Sequence, residues 1–339
     1  MKGLGFFDKL IFTINSLLAF LLLLSYLLPF IPPKSFSTLS VLSLGVPFLI
    51  ILNVLFLVFW LFRLKKQLFL SLFVLVLGWN YINSLYKFSS SKHIESDDNF
   101  SVMSFNVRQF NLFEWLSSKT VKEDIIQLIE SEQPDILCLQ ESPRGDKVVL
   151  EGYNQFNATY VSNVRGGLAI YSKFPIISSG SLEFPNTNNN AIFVDIVKTK
   201  DTLRVYNIHL QSSKIDTKVE ALKKESSENL LKRIGITFKT QQEQSELVLD
   251  HKNKCPYKTI IAGDFNNTAY SYVYNQLKRD LVDTFEEAGN GFGKTYNFKF
   301  FPVRIDFILV DEAFTVNGYK SFENELSDHF PIKATLKLH

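Results

Sequence analysis

The stretch Thr259-Ile260-Ile261-Ala262-Gly263-Asp264-Phe265-Asn266 joins an apolar run typical of a buried strand to an end that carries a carboxylate and an amide. Positions two apart in an extended chain face the same way. Asp264 and Asn266 are therefore predicted to lie side by side, where Asp264 would orient or deprotonate a water and Asn266 would donate to a phosphate oxygen. Gly263 allows a neighbouring backbone to approach closely. An Asx turn explains these residues equally well when they are taken alone.

Polar side chains follow other apolar runs of strand type in the same part of the chain. They include Glu141 after residues 135–139, His209 after residues 203–206 and Asn106 after residues 102–105. Asp306 interrupts the apolar run of residues 304–310, and Ser327-Asp328-His329 stands before Pro331. Strand ends present reactive side chains at the edge of a sheet, so the whole set makes hydrolysis of a phosphate ester the leading hypothesis.

The residue types in this set suit phosphate chemistry. Glu141 offers the hard oxygen ligands that Mg²⁺ prefers, although a solvated turn is the simpler reading of Gln140-Glu141 alone. An aspartate inside so apolar a run as that around Asp306 is costly unless it is paired, and His329 needs a partner that holds its tautomer. A purely structural ion pair is the alternative. His209 would protonate a leaving oxygen or bind the phosphate.

Six motifs, in order along the chain, resemble those of the endonuclease/exonuclease/phosphatase superfamily, to which DNase I belongs. They are Ser104-Phe105-Asn106-Val107-Arg108, Leu139-Gln140-Glu141, Asn207-Ile208-His209-Leu210, Gly263-Asp264-Phe265-Asn266, Arg304-Ile305-Asp306-Phe307-Ile308 and Ser327-Asp328-His329-Phe330-Pro331. The resemblance covers essentially all of residues 100–339 and implies an α/β fold, a four-layer sandwich of two packed mixed sheets flanked by helices.

The same resemblance implies roles for the individual residues in phosphoester hydrolysis that depends on Mg²⁺ or Mn²⁺. Asn106 and Glu141 would serve the metal, and Asp328 would act at the metal or the phosphate. Asp264 and Asn266 would position the water and the phosphate, and Asp306 would orient His329. The position of His209 in its motif is similar to that of a histidine in DNase I and the lipid phosphodiesterases.

Residues 1–88 have a different composition and resemble a membrane region. Charged side chains are absent between Lys9 and Lys34, between Lys34 and Arg63, and between Lys66 and Lys87. A spanning helix needs about 20 predominantly apolar residues, so we predict three transmembrane helices with residues 10–86 in the lipid bilayer. A cleaved signal peptide is the alternative for the first span, and buried helices of a soluble domain normally show a polar face that is missing here.

Basic residues near the spans indicate how the chain crosses the membrane. Their distribution places the amino terminus in the cytoplasm by the positive-inside bias. A multi-pass protein of the cell membrane is expected, with residues 89–99 as a linker and the domain of residues 100–339 on the extracytoplasmic side. Lys and Arg total 36 and Asp and Glu total 34, so a broad basic field for unspecific binding to long nucleic acids is not indicated.

Helical and strand patterns alternate through residues 100–339. Strands are predicted at residues 100–105, 136–140, 167–171, 191–197, 203–208, 259–262, 304–310 and 332–338. Helices are predicted at residues 119–132 and 218–252, the second with a possible break at Gly235. Cys138 is expected to be a small core residue, and a disulfide with Cys255 is not expected.

The sequence therefore predicts a membrane-anchored, divalent-metal-dependent phosphoesterase that hydrolyses a phosphodiester or phosphomonoester by direct attack of an activated water. The substrate would be a lipid head group, a nucleic acid or a small phosphoester. A nuclease acting on DNA or RNA is one alternative, and a catalytically silent, membrane-tethered binding module is another. A glycosidase that uses Glu141 and Asp264 would leave Asn266, His209 and His329 unexplained.

Overall fold

Two six-stranded sheets form the centre of the computed structural model, which describes residues 4–89, 92–143, 148–159, 166–214, 226–298 and 301–339. The strands are β1 Phe100–Asn106, β2 Ile136–Pro143, β3 Asn154–Thr159, β4 Gly166–Ser172, β5 Ile176–Ser181, β6 Asn190–Lys198, β7 Asp201–His209, β8 Lys258–Asp264, β9 Leu281–Asp283, β10 Asp306–Asp311, β11 Phe314–Ser321 and β12 Ile332–Leu338. The first sheet has the order β11-β12-β1-β2-β4-β3, and the second has the order β5-β6-β7-β8-β10-β9.

Each sheet contains one parallel pair among antiparallel neighbours. β1 runs parallel to β2, and β7 runs parallel to β8. Parallel strands end at the same edge of a sheet, so Asn106 pairs with Gln140 in the first sheet and His209 pairs with Asp264 in the second. The antiparallel β10 begins where β8 ends, which places Asp306 directly opposite Asp264.

The two sheets pack face to face over an apolar core, and helices cover their outer faces. Alternate side chains point inward, among them Val102 and Cys138 from the first sheet and Val205 and Ile260 from the second. The helices are α6 Val121–Glu132 over the first sheet and α7 Ser227–Asn253 and α8 Tyr272–Lys278 over the second, whereas the short α9 Thr284–Ala288 places Phe285 and Ala288 in the core between the sheets. The predicted four-layer α/β sandwich is confirmed.

The predicted elements match the observed ones with a few differences. All eight predicted strands are present, but the strand predicted from residue 304 begins at Asp306, and β3, β5, β9 and β11 are additional. The predicted break at Gly235 is wrong, because α7 continues through it. A Cβ at Gly235 would lie 3.2 Å from Ser37, so this glycine allows close helix packing. Part of the predicted helix, residues 215–225, and residues 90–91 of the predicted linker lie outside the described residues.

Apolar helices make up the amino-terminal part of the chain. They are α1 Phe6–Ser25, α2 Ser37–Val41, α3 Val46–Phe62, α4 Leu68–Leu77 and α5 Trp79–Leu85. Two helical stretches, Phe6–Phe30 and Ser37–Phe62, are long and apolar enough to cross a membrane. The third predicted span consists of α4 and α5, which meet at a bend of 78°, so it is either a broken span or a re-entrant loop.

Buried polar groups join α1, α3 and α4. Asn15 donates to Ser71 at 2.7 Å and accepts from the Trp60 indole at 2.9 Å, and all three residues are buried. Because apolar helices gain little from hydrophobic contact inside a bilayer, such hydrogen bonds and close packing hold them together. The network fixes how the three helices face one another.

The apolar helices also contact the sandwich directly. The backbone N–H of Lys34 donates to Gln242 at 2.9 Å, and Asn275 donates to the carbonyl of Pro29 at 3.1 Å. The Tyr270 hydroxyl donates to the carbonyl of Tyr81 at 3.2 Å. These contacts bring the segment between α1 and α3, and the helix α5, against α7, α8 and the loop that follows β8.

Candidate active site

All eight side chains predicted for the site lie at one edge of the sandwich. The parallel strands bring the ends of β1, β2, β7 and β8 to this edge, β10 begins there, and the segment before β12 passes across it. The residues are Asn106, Glu141, His209, Asp264, Asn266, Asp306, Asp328 and His329. Sequence positions more than 200 residues apart therefore meet in one cluster.

The Oδ2 atom of Asp264 is the centre of this cluster. It accepts from the side-chain amides of Asn106 at 3.0 Å and Asn266 at 3.1 Å. The Nε2 atoms of His209 and His329 lie 3.6 Å and 3.7 Å from the same oxygen. Four nitrogen atoms from four different segments thus surround one carboxylate oxygen, and the Asp264 side chain is only 1% exposed.

The backbone around Asp264 is held in an unusual conformation. Gly263 has φ of +143°, and a Cβ on it would lie 2.0 Å from the carbonyl oxygen of Ile208, so this position requires glycine. Asn266 has φ of 50°, and its N–H donates to Oδ1 of Asp264 at 2.8 Å. Its side-chain amide also donates to the carbonyl of Leu210 at 3.0 Å. In this structure Asn266 therefore positions the carboxylate of Asp264.

His329 is held by Asp306 from behind. Its Nδ1 donates to the two Asp306 oxygens at 2.9 Å and 3.1 Å, and the hydroxyl of Thr295 accepts from the Asp306 N–H at 3.1 Å. Burial alone would lower the pKa of His329, but the carboxylates of Asp306 and Asp264 outweigh it and raise the pKa to about 10. His329 is consequently a cation at neutral pH, with Nε2 directed toward Asp264.

The pKa of His209 is shifted in the opposite direction, below its ordinary value. Burial lowers the pKa of His209, against the carboxylate of Asp264, which raises it. Its Nε2 lies 3.9 Å from Glu141. Asn190, its cross-strand partner, uses its side chain to donate to Ser181 and to accept from the Phe184 N–H.

Glu141, Asn106 and Asp328 form an oxygen-rich group beside the histidines. Asn106 donates to Glu141 at 3.3 Å, and the side chains of Glu141 and Asp328 remain 29% and 26% exposed. Burial raises the pKa of Glu141, and the negative charge of Asp328 adds to that rise. Two accessible carboxylates next to an amide fit a divalent cation with hard ligand preferences.

Asp264, Asp306 and His329 form a second group that would suit an ion by distance alone. One ligand atom from each lies within 4.8 Å of the others, and all three residues are buried. However, the imidazole of His329 already uses Nδ1 toward Asp306, and its raised pKa keeps it protonated. Glu141 and Asp328 instead offer carboxylate oxygens at the cavity, so the group around Glu141 fits a hard cation better.

Arg108 is a site residue that the sequence reasoning did not single out. Its guanidinium pairs with Asp328 at 2.9 Å and stacks over the Trp115 ring at 4.1 Å from the centroid. Arg108 has φ of 42° and opens a run of four residues in the left-handed region. Its place two residues after Asn106 was the only signal in the sequence.

A cavity of about 520 Å³ opens in front of these groups. Arg108, Glu141, His209, Asp264, Asn266, Asp328 and His329 line one side of it. Asp306 lies behind His329, and Asn106 lies behind Glu141. The rest of the wall is mainly apolar and includes residues from the amino-terminal helices.

Two family models match parts of this chain. A family model described as the endonuclease/exonuclease/phosphatase family matches residues 103–329, and a model described as a domain of unknown function matches residues 8–85. A search of curated proteins found no match.

Similar solved structures share the fold of the sandwich. An endonuclease/exonuclease/phosphatase from Beutenbergia cavernae is 18% identical with a TM-score of 0.54, and covers 71% of this chain and 72% of that one. The human Nocturnin catalytic domain with bound sulfate is 17% identical with a TM-score of 0.54, and covers 71% and 94%. A mannosyl-6-phosphatase from Bacteroides thetaiotaomicron is 20% identical with a TM-score of 0.52, and covers 70% and 99%. At these identities the likeness shows the fold alone.

Proposed function

The chain belongs to the endonuclease/exonuclease/phosphatase family, and on that premise we propose that it is a membrane-anchored, divalent-metal-dependent phosphoesterase. The observation that carries the proposal is the convergence of Asn106, Asn266, His209 and His329 on one oxygen of Asp264. A carboxylate among hydrogen-bond donors, beside a cationic imidazole, is suited to activate water next to a phosphate. Structural packing alone does not require so many polar groups at one edge.

In the proposed reaction a water held by Asp264 attacks the phosphorus atom. The bond between the water oxygen and phosphorus forms, and the bond between phosphorus and the leaving oxygen breaks. Asp264 accepts the proton of the water, and this proton ends on the leaving oxygen. His209, whose Nε2 is 3.6 Å from Asp264, is the neighbouring group that passes it on. One water is consumed, and no covalent enzyme intermediate forms.

His329 and Arg108 supply positive charge in this scheme. His329, kept cationic by Asp306, directs Nε2 to a phosphoryl oxygen and stabilises the charge that builds there. Arg108 holds Asp328 in place. We assign the divalent ion, Mg²⁺ or Mn²⁺, to Glu141, Asp328 and Asn106. When bound, the ion adds positive charge at the phosphoryl oxygens.

The test uses the full-length protein in detergent with two generic substrates, bis(4-nitrophenyl) phosphate and 4-nitrophenyl phosphate, and with DNA and RNA. We expect turnover with Mg²⁺ or Mn²⁺ and loss of turnover in EDTA. Asp264→Ala and His329→Ala should each lower kcat by about 100-fold or more, in line with the usual contribution of one general acid–base or oxyanion-stabilising group.

His93→Ala is the matched control, because the His93 side chain is 73% exposed and does not line the cavity. It should retain the activity of the unmodified protein. Preference for DNA or RNA over both small esters would favour the nuclease alternative. A folded protein that turns over none of these substrates would favour the binding module.

A further inference from the structure

The catalytic cavity has two walls of different origin. The polar wall comes from the sandwich and holds the groups described above. A second, mainly apolar part of the lining, here called the apolar wall, includes Leu44, Pro47 and Phe48 from the segment that enters α3, and Ser84 and Leu85 from the end of α5. The amino-terminal helices therefore form part of the cavity itself, in addition to joining the sandwich to a membrane.

Aromatic contacts hold the two sources of this wall together. The rings of Phe48 and Phe301 lie 4.7 Å apart, and Tyr81 stacks on Tyr270 at 6.2 Å. Phe301 and Tyr270 belong to the sandwich and line the cavity, as Phe48 does. Tyr270 is packed in the same apolar cluster as Val46 and Ile50 of α3. Hydrogen bonds from Tyr270 to Tyr81 and from Arg304 to Ser84, the latter at 3.4 Å, fix this junction.

The apolar wall continues into the surface of a helix long enough to span a bilayer. Phe48 is 48% exposed although it lines the cavity, and the outward residues that follow it on α3, Leu52 and Leu55, are 37% and 57% exposed. Exposed apolar side chains along Ser37–Phe62 are expected to face lipid. Phe48, Leu52 and Leu55 thus form a row of exposed apolar side chains on α3 that begins at the cavity.

On the basis of the function proposed above, we propose that the substrate is a lipid phosphate ester of the same bilayer. Its phosphate lies between Glu141, Asp264 and His329, and the first part of its hydrocarbon chain lies against Phe48 and Phe301. A cavity of about 520 Å³ holds a phosphate head group together with part of one chain. A small, water-soluble ester would leave the apolar wall without a partner, and a long polynucleotide would bury charge against it.

The test compares esters that share the reacting group and differ only in the chain. The substrates are 4-nitrophenyl hexadecyl phosphate against 4-nitrophenyl methyl phosphate, and hexadecyl phosphate against methyl phosphate, all in mixed micelles with the full-length protein. We expect kcat/KM for the hexadecyl ester to exceed that for the methyl ester by at least about 30-fold, since a few methylenes in an apolar pocket give this range.

Variants of the apolar wall separate recognition of the chain from simple partition into micelles. In Phe48→Ala and Phe301→Ala the ratio of kcat/KM for the long and short esters should fall about fivefold or more. Phe73→Ala is the matched control, because Phe73 is 60% exposed on α4 and does not line the cavity. It should leave the ratio as it is in the unmodified protein.

The outcomes distinguish the inference from the function on which it rests. Equal kcat/KM for the methyl and hexadecyl esters would overturn lipid recognition and leave the hydrolase standing. The same conclusion would follow if the ratio of kcat/KM for the long and short esters were the same in Phe48→Ala and in the control Phe73→Ala. Preferred hydrolysis of DNA or RNA would also overturn it. If the protein hydrolyses none of the esters, including the two generic ones, both the proposed hydrolase activity and the lipid inference would be overturned.

Discussion

At the scale of the residue, the site depends on how the single oxygen Oδ2 of Asp264 is surrounded. Buried carboxylates are costly unless hydrogen bonds and opposite charges compensate them. Asn106 and Asn266 supply hydrogen bonds, and His329 supplies the charge. Burial nevertheless raises the pKa of Asp264, to about 6, against the opposing effect of His329. A carboxylate with a raised pKa is a stronger base than an ordinary aspartate.

The role of Asp306 can be tested apart from that of His329. Asp306→Asn keeps the volume of the side chain but removes the negative charge that orients the imidazole and keeps it cationic. We expect kcat on bis(4-nitrophenyl) phosphate to fall by about 100-fold with little change in KM. The measurement is steady-state kinetics at several substrate concentrations. Asp311→Asn, at the other end of β10, is the control, and an unchanged kcat in Asp306→Asn would contradict the positioning role.

Gly263 should contribute strongly to the stability of the fold. In Gly263→Ala the new Cβ would lie 2.0 Å from the Ile208 carbonyl oxygen, at a φ of +143° that alanine rarely adopts. The loss should be about 3 kcal/mol, which lowers Tm by roughly 6–12 °C for a domain of this size. Thermal unfolding of Gly45→Ala provides the control, since nothing lies within 4 Å of a Cβ at Gly45. Equal Tm values for the two variants would show that the β7–β8 contact relaxes easily.

The site residues were largely predictable because each stands next to a strand pattern. Asp264 and His329 lie in short motifs whose order along the chain matches a known family. Arg108 was missed because its contribution depends on a left-handed turn and on pairing with Asp328, and neither is visible in a local pattern. The hydrogen bonds from the Asn266 amide to Asp264 and to the Leu210 carbonyl could not be predicted either, because they depend on how the chain turns after β8.

At the scale of the element, the strands that were predicted are those with long apolar runs. β1, β2, β7, β8 and β10 are buried over most of their length, so their sequences carry a strong signal. β5 lies at the edge of the second sheet and is mostly half-buried or exposed, so it has no such run. β9 has three residues, which is too short for a pattern.

A charge cluster at the end of α6 joins that helix to the first sheet. Glu132 pairs with Lys320 of β11 at 2.5 Å and with Lys333 of β12 at 2.9 Å. Burial would raise the pKa of Glu132, but the hydrogen bonds from the two lysines outweigh it and lower the pKa below its ordinary value of 4.5. The carboxylate therefore stabilises the fold above pH 4.5, and this contribution is lost as the pH falls through the lowered value.

Glu132→Gln should reproduce that loss at neutral pH. We expect the variant to be about 1 kcal/mol less stable than the unmodified protein at pH 7, and the difference should shrink as the pH falls below about 4.5. Thermal or chemical unfolding at several pH values measures it. Glu130→Gln, on the exposed face of the same helix, should show no such pH-dependent difference. A difference for Glu132→Gln that is constant with pH would contradict the assignment.

At the scale of the whole molecule, the apolar helices were predictable from hydropathy, whereas their packing on the sandwich was not. Lys34 contacts Gln242, and Tyr81 contacts Tyr270. The two residues of each pair lie about 190 or more positions apart in the chain. Composition shows that a segment is apolar, but it does not show which end of a helix will pack beside a particular loop. The bend between α4 and α5 follows Gly78, where a Cβ would lie 2.0 Å from the Tyr26 hydroxyl.

Chemical labelling of its cysteines can show on which side of the membrane the sandwich lies. Cys138 is fully buried and Cys255 is partly exposed, and these are the two cysteines of the chain. We predict that a membrane-impermeant maleimide labels Cys255 in intact cells, because the basic residues favour a cytoplasmic amino terminus. Cys255→Ser should abolish the labelling.

A second variant gives the opposite readout. Lys66→Cys in the Cys255→Ser background places a thiol between the predicted second and third spans, on the side expected to be cytoplasmic. It should react only after the cells are permeabilised. Labelling of Lys66→Cys in intact cells, together with protection of Cys255, would reverse the orientation.

The shared wall of the cavity also has a consequence for the evolution of the chain. Phe48 lies in the segment that one family model matches, and Phe301 lies in the segment that another matches, yet their rings are in contact. A substitution on one side changes the shape that the other side must fit, so the two parts are inherited under a common constraint. Relatives should show correlated changes at positions 48 and 301 and at positions 81 and 270, and chimaeras that join unrelated halves should lose activity first.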